Sequence, residues 1–214
     1  MANAASQALA AILDAVAAGK FPAPDGRVTI LAQLSARDAG VIAFAGHSVI
    51  FADADPTWVV KQLPAGDLAA PMSPAFLHAL ARRTRRVAHT TDMLTCAPAL
   101  PGEPDLELTP EPDDAHPRIA RALRYRDEVQ TWRAPGGVVL IGRGVAGRWE
   151  VAVEVDECRR GRGLGRSLAT AARHLVPGGA PLWAQISPGN AASVRAFLAA
   201  GFQPVGAEAL LTGT

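Results

Sequence analysis

Val155-Asp156-Glu157-Cys158-Arg159-Arg160-Gly161-Arg162-Gly163-Leu164-Gly165-Arg166-Ser167-Leu168 is the stretch around which the rest of the chain can be ordered. It is preceded by residues 149–155 (WEVAVEV), whose alternating valines read as a β-strand. It runs into residues 164–175, where Leu164, Leu168, Ala172 and Leu175 recur at helical spacing. Between strand and helix, glycines alternate with larger residues. Glycine lets a backbone take positive φ and lets a ligand approach the main chain closely. The first N–H groups of a helix have no acceptor within it, and the helix dipole adds partial positive charge at that end. With Arg159, Arg160, Arg162 and Arg166 around it, the stretch predicts a cradle for a multiply charged phosphate ester.

Two common phosphate loops do not fit. No Gly-Lys-Ser/Thr comes after the glycines, as a P-loop requires. Gly161, Gly163 and Gly165 are spaced Gly-x-Gly-x-Gly, not Gly-x-Gly-x-x-Gly, and the next strand, 182–186 (LWAQI), ends without an acidic residue to hold a ribose.

Outward from this stretch, residues 128–133 and 138–143 read as strands joined by Ala134-Pro135-Gly136-Gly137, a strong turn signal. Residues 119–126 read as helical, and 191–200 as a helix closed by Gly201, with Val194, Phe197 and Leu198 facing inward. A last strand starts near Phe202. The order strand, glycine loop, helix, strand, helix, strand predicts an α/β or α+β domain over residues 118–214. Residues 96–117 are rich in proline and carry Glu103, Asp105, Glu107, Glu111, Asp113 and Asp114. They read as a linker or exposed loop with one short strand at 106–108. Its acidic run is either a solvated surface or a rim that attracts a cation. Residues 1–95 form an N-terminal α/β region. An amphipathic helix carries Leu9, Ile12, Leu13 and Val16, strands cover 28–34 and 41–51 with a bend at Gly46-His47, and helices cover 56–63 and 74–86. This region is expected to cover the acceptor site, or to be a degenerate second copy of the same fold.

The glycine loop and the residues C-terminal to it resemble the Gcn5-related N-acetyltransferase (GNAT) superfamily. The family's Arg/Gln-x-x-Gly-x-Gly/Ala signature is matched by Arg160-Gly161-Arg162-Gly163-Leu164-Gly165. Its second block, Asn…Ala/Ser…Tyr…Gly-Phe, is matched by Asn190, Ser193, Phe197, Gly201 and Phe202, with Phe197 where the family has tyrosine. The resemblance spans about residues 128–205. It implies a mixed, mostly antiparallel sheet flanked by helices and splayed between strands 149–155 and 182–186. It also implies an N-acetyltransferase that moves an acetyl group from acetyl-CoA to a primary amine by direct attack. The implied cofactor contacts are Val153, Val155, Arg160, Gly161, Arg162, Gly163, Leu164, Gly165, Arg166, Ser167, Asn190 and Phe197.

The catalytic candidates depart from the family pattern. Phe197 has no proton to return to a departing thiolate, which leaves water or Ser193. Gln185 stands where some relatives carry a basic glutamate. Glu150 and Glu154 share one face of their strand, and partial burial would raise a carboxyl pKa toward that of a base. Cys158, beside the arginines, is most simply a loop cysteine. A CoA-binding module that has lost turnover, and a nucleotide-phosphate enzyme, are the competing readings.

The whole-chain composition directs function to local clusters. A formal net charge of +1 gives no global pull toward nucleic acid or an anionic membrane. Cys96 and Cys158 lack metal spacing and the five histidines are scattered, so no structural zinc is expected. The apolar start lacks the basic leader of a secretory signal, and no run reaches membrane-spanning length, so a cytoplasmic protein is expected. A homodimer is the default oligomer.

Overall fold

The computed structural model describes residues 3–111 and 116–213; Asp113 and Asp114 of the acidic run lie outside them. The chain divides into two compact units, residues 1–94 with 205–214, and residues 95–204. The contacts group residues 205–214 of the last strand with the first unit.

In chain order the first unit contributes α1 (Ala4–Ala17), β1 (Val28–Leu31), β2 (Ala39–Phe44), β3 (His47–Phe51), α2 (Pro56–Gln62), α3 (Pro74–Thr84) and most of β4 (Arg86–Ala97), whose residues from Thr95 on belong to the second unit. The second contributes β5 (Thr109–Pro110), α4 (Pro117–Tyr125), β6 (Asp127–Ala134), β7 (Gly137–Arg143), β8 (Trp149–Val155), α5 (Leu164–Ala172), β9 (Leu182–Ile186) and α6 (Ala191–Ala199). Then β10 (Gln203–Gly213) goes back to the first unit.

Local chemistry sets the ends of the first unit's helices. Asn3 caps α1 by accepting the Ser6 N–H at 2.8 Å, and its amide donates to the carbonyls of Gln33 and Leu34. Asp55 and Ser73 cap α2 and α3, each of which has proline in its first turn. The apolar run 41–51 folds back on itself at Gly46, whose φ of 75° suits a hairpin turn. The core gathers Val41 and Ile50 from the hairpin, Val59 from α2, Phe76 and Leu80 from α3, and Leu211 from β10.

β10 runs antiparallel to β2 with Ala209 opposite Val41. A Cβ on Gly40 would drive into the Ala209 carbonyl oxygen. Gly40→Val is thus expected to push β2 off β10 and destabilise the fold by about 2–3 kcal/mol, read as a lowered urea midpoint.

In the second unit β5, β6, β7 and β8 form an antiparallel meander, and β9 lies parallel to β8. On its other side β9 borders the last residues of β4, where Thr95 Oγ1 donates to the Ala184 carbonyl at 3.1 Å. Ile119 and Ala122 of α4 pack with Val138, Leu140 and Ala152 on one face of the sheet. α5 packs on β7 and β8 beside α6. Gly137 makes that packing possible, since a Cβ there would lie 2.8 Å from Leu168 Cδ1. The architecture is the expected one: a mixed, mostly antiparallel arrangement of strands flanked by helices.

Some expectations are corrected. β4 has no counterpart in the sequence reading, because its first half is polar and half-exposed and lacks a clean alternation. The short strand expected at 106–108 is absent; Thr109–Pro110 pairs with β6 instead, where the Thr109 hydroxyl donates to the Arg133 carbonyl. Leu198, expected inside, is 41% exposed. Among the described residues no helix is long and apolar enough to cross a membrane.

Candidate functional site

The β8–β9 ladder is short. It pairs Trp149 with Leu182 and Glu150 with Trp183, and goes no further, although β8 continues to Val155 and β9 to Ile186. The Asp156 N–H is given to the Gly136 carbonyl at 2.9 Å, on the β7 side. Alternation along a strand turns the peptide groups of Val153 and Val155 the other way, toward the side β9 has left. Backbone groups left there can pair with an extended ligand.

Beyond Val155 the chain makes a short turn at 157–159 and then reaches Gly161 and Gly163, with φ of 74° and 86°. Neither glycine would bring a Cβ within 4 Å of another atom, so these positions need glycine for conformation and open onto free space. Gly163 begins α5 with no side-chain cap. The N–H groups of Leu164, Gly165 and Arg166 have no acceptor within the helix and point toward the loop. The turn is anchored from both sides. Arg160 Nε donates to the Val155 carbonyl at 3.3 Å, and the Arg159 stem packs over Gly136. A Cβ on Gly165 would sit 3.7 Å from both Val155 and Ala196 side chains, so the cradle abuts the end of β8 and the helix α6.

Arg162, Arg166 and Ser167 share one side of the structure. They line an open cleft of about 490 Å³ along α5, which Asp105 and Leu106 also line. Those two residues come from the segment read as a linker. This loop is fastened to α5: Leu100 N–H donates to the Arg173 carbonyl at 2.8 Å, and Arg173 Nε to the Pro98 carbonyl at 2.9 Å.

Asn190 accepts the Ser193 N–H at 3.0 Å and so caps α6, while remaining exposed. Asn190→Ala is expected to remove about 1 kcal/mol of stability, measurable by urea unfolding. Ser193 is half-buried on the first turn of that helix. Phe197 is 4% exposed and meets Phe202 edge-on at 5.0 Å between ring centres. The enclosed ring packs within the fold.

Glu150 also departs from expectation. Its side chain is buried and receives hydrogen bonds from Arg126 Nε at 2.9 Å, Arg148 Nε at 2.9 Å and Gln185 Nε2 at 3.1 Å. The Val145 N–H adds a fourth donor at 3.3 Å, and Gly144 leaves room for the carboxylate. Burial alone would raise its pKa, but the Arg148 and Arg126 guanidiniums outweigh burial and hold it below the usual carboxylate value. The expected raised pKa is thus reversed. Glu154, four residues on and on the same face, is half-exposed and paired with Arg118 of α4 at 3.0 Å. Sequence reasoning missed Arg118, Arg126 and Arg148; the one available signal was that arginines begin and end the helix after Pro117.

Cys96 is buried, which raises its thiol pKa, and Cys158 is exposed on the turn; both are free. Trp149 and Trp183 are core residues. Among the described residues no group of three His, Cys, Asp or Glu side chains converges as a metal site would.

No family model and no curated protein matches the chain. Solved structures resemble it at low identity. A GCN5-related N-acetyltransferase from Kribbella flavida is 18% identical over 64% of this chain, with a TM-score of 0.43. This chain spans 63% of that protein's length. A functionally unknown conserved protein from Staphylococcus epidermidis is 15% identical over 66% of this chain and 68% of its own, with a TM-score of 0.42. An acetyltransferase of the GNAT family from Colwellia psychrerythraea is 12% identical over 66% of this chain and 63% of its own, with a TM-score of 0.39. At such identities no substrate or residue role carries over from them.

Proposed function

We propose that this chain belongs to the GNAT superfamily and that residues 95–204 bind acetyl-CoA and transfer its acetyl group to a primary amine. The observation that carries the reading is the parallel β8–β9 ladder that stops after Glu150↔Trp183, beside a helix whose glycine start has no cap. A strand gap next to a row of free amides suits a ligand with an extended amide arm and a diphosphate. The signature residues from Arg160 to Gly165 fall on the turn after β8 and the start of α5, and those from Asn190 to Phe202 on α6 and its two ends.

In this reading the amides of Leu164 to Arg166, with Gly161 and Gly163, hold the diphosphate, and Arg160 and Arg162 add charge. Val153 offers its peptide groups and Val155 its N–H to the pantetheine arm, the Val155 carbonyl being held by Arg160, and Asn190 borders it. When bound, the thioester supplies the acetyl group. The Val155 N–H stabilises negative charge developing on the thioester oxygen as the amine attacks. Glu154 takes the amine's proton through water, with Arg118 as its ion-pair partner. Ser193 stands near the arm as a proton donor, although a thiolate is a good leaving group and departs readily without one. Glu150 fixes Arg126, Arg148 and Gln185 and takes no proton. The two free cysteines agree with a reducing, cytoplasmic setting.

A second reading, a module that binds acetyl-CoA without turnover, is favoured by the locked Glu150 and the enclosed Phe197. Calorimetry with acetyl-CoA, ATP and NAD, followed by thiol release against a panel of amines, separates these. Tighter binding of acetyl-CoA with thiol release supports the transferase, and binding with no release on any amine supports the module. Preference for ATP or NAD removes both.

A further inference from the structure

We propose that the cleft between residues 98–106 and the outer side of α5 holds the nucleoside end of the carrier, with Asp105 reading the adenine amino group. This rests on the acyl-CoA reading above and adds a specificity residue that lies outside both sequence signatures.

The wall is a built one. Leu100 N–H to the Arg173 carbonyl (2.8 Å), Arg173 Nε to the Pro98 carbonyl (2.9 Å) and His174 Nδ1 to the Pro101 carbonyl (3.0 Å) tie the segment to the C-terminal end of α5. Arg173 also donates to the Ala200 carbonyl at 2.8 Å, which couples the same anchor to α6. From there the segment brings Asp105 and Leu106 level with Gly163, Arg166 and Ser167 at the helix start. The cleft's volume of about 490 Å³ lies in the range of small-ligand sites.

The two walls differ in chemistry. On the α5 side stand Arg162, Arg166 and the hydroxyls of Ser167 and Thr170; on the other stand a carboxylate and a leucine. A ligand anionic throughout would be repelled by Asp105. A ligand with phosphate at one end and an apolar ring bearing an N–H donor at the other matches both walls. Gly163 belongs to the cleft and also to the diphosphate cradle. The group attached to the diphosphate on the side away from the strand gap is a phosphorylated adenosine. Leu106 lies against its ring, Arg162 and Arg166 take its phosphate, and Asp105 accepts the 6-amino hydrogen bond.

The test compares the full chain's affinity for acetyl-CoA, for the same molecule with hypoxanthine in place of adenine, and for acetyl-4′-phosphopantetheine, which has no nucleoside. Wild type is expected to prefer the adenine form over the hypoxanthine form by about tenfold, the scale of one hydrogen bond to a charged group. Asp105→Ala, at an exposed position, is expected to erase that preference and leave acetyl-4′-phosphopantetheine affinity unchanged. Equal affinity of wild type for the two base forms, or an equal loss on all three ligands in Asp105→Ala, overturns the inference and leaves the acyl-CoA reading standing. Binding of none of the three overturns both.

Discussion

Glu150→Ala is expected to destabilise the protein by about 3–5 kcal/mol, because it takes the shared counter-charge from the buried Arg148 guanidinium and the partly buried Arg126 guanidinium. The Arg126 and Glu150 side chains are 14% and 4% exposed, and those of Arg148 and Glu150 are 3% and 4% exposed. At such burial water cannot replace the lost carboxylate. Glu150 also joins β8 to Gln185 of β9, two residues past the last strand pair, so its loss loosens the gap where the strands part. Urea unfolding at neutral pH reads the loss as a lower midpoint with unchanged slope. Glu150→Gln keeps the shape and removes the charge, so its cost is expected to be smaller. The sign of the pH dependence comes from the same contacts. The folded carboxyl titrates below its ordinary value of 4.5 because the arginines outweigh burial. Its stabilisation is present in full above that value and is lost as pH falls through the lower, folded pKa. Glu150→Gln should flatten wild-type acid destabilisation in that window. On the proposed transferase reading Glu150 takes no proton, so the pH profile of transfer near neutrality is expected to be unchanged in Glu150→Gln while its stability falls.

The parts of the fold that are legible in sequence are those governed by local rules. Residues 149–155 and 182–186 form strands with the expected bounds, and the helix at 164 starts at the expected residue, because valine alternation and glycine loops act over a few positions. β4 is hidden because its outer half is polar and its identity as a strand depends on neighbours far along the chain. The segment after Ala97 reads as a linker because proline and acidic residues are the mark of loops. Its attachment to α5 uses backbone carbonyls and an arginine more than seventy residues away, which composition does not encode. Glu150 is the instructive reversal. Alternation correctly puts it on one face with Glu154, but the pKa direction depends on Arg126, 24 residues distant, and on Arg148, whose side chain folds onto the same oxygen. Strand periodicity gives the face of a carboxylate; the sign of its shift comes from which cations the tertiary fold delivers.

Gly163→Val is expected to weaken acetyl-CoA binding by about 100-fold while the protein still folds. The residue has φ of 86°, where a side chain, above all a β-branched one, is strained by about 1–2 kcal/mol. That strain lowers the urea midpoint modestly. The larger effect falls on the ligand. Nothing in the protein lies within 4 Å of a Cβ at this position, so the added side chain projects into the open space where a diphosphate would approach the free amides. Valine also biases the backbone away from the conformation that starts α5 uncapped, which turns those amides out of line. Gly165→Ala is the control. Its φ is ordinary, and its Cβ would make 3.7 Å contacts with Val155 and Ala196, normal packing distances. It is expected to keep both stability and affinity within about twofold of wild type. Calorimetric titration of the two variants in parallel decides the matter. A loss confined to Gly163→Val locates the diphosphate on the amides after Gly163. Equal affinity in both variants would mean that the arginines alone attract the ligand, and that the glycine start of α5 serves the turn and not the binding.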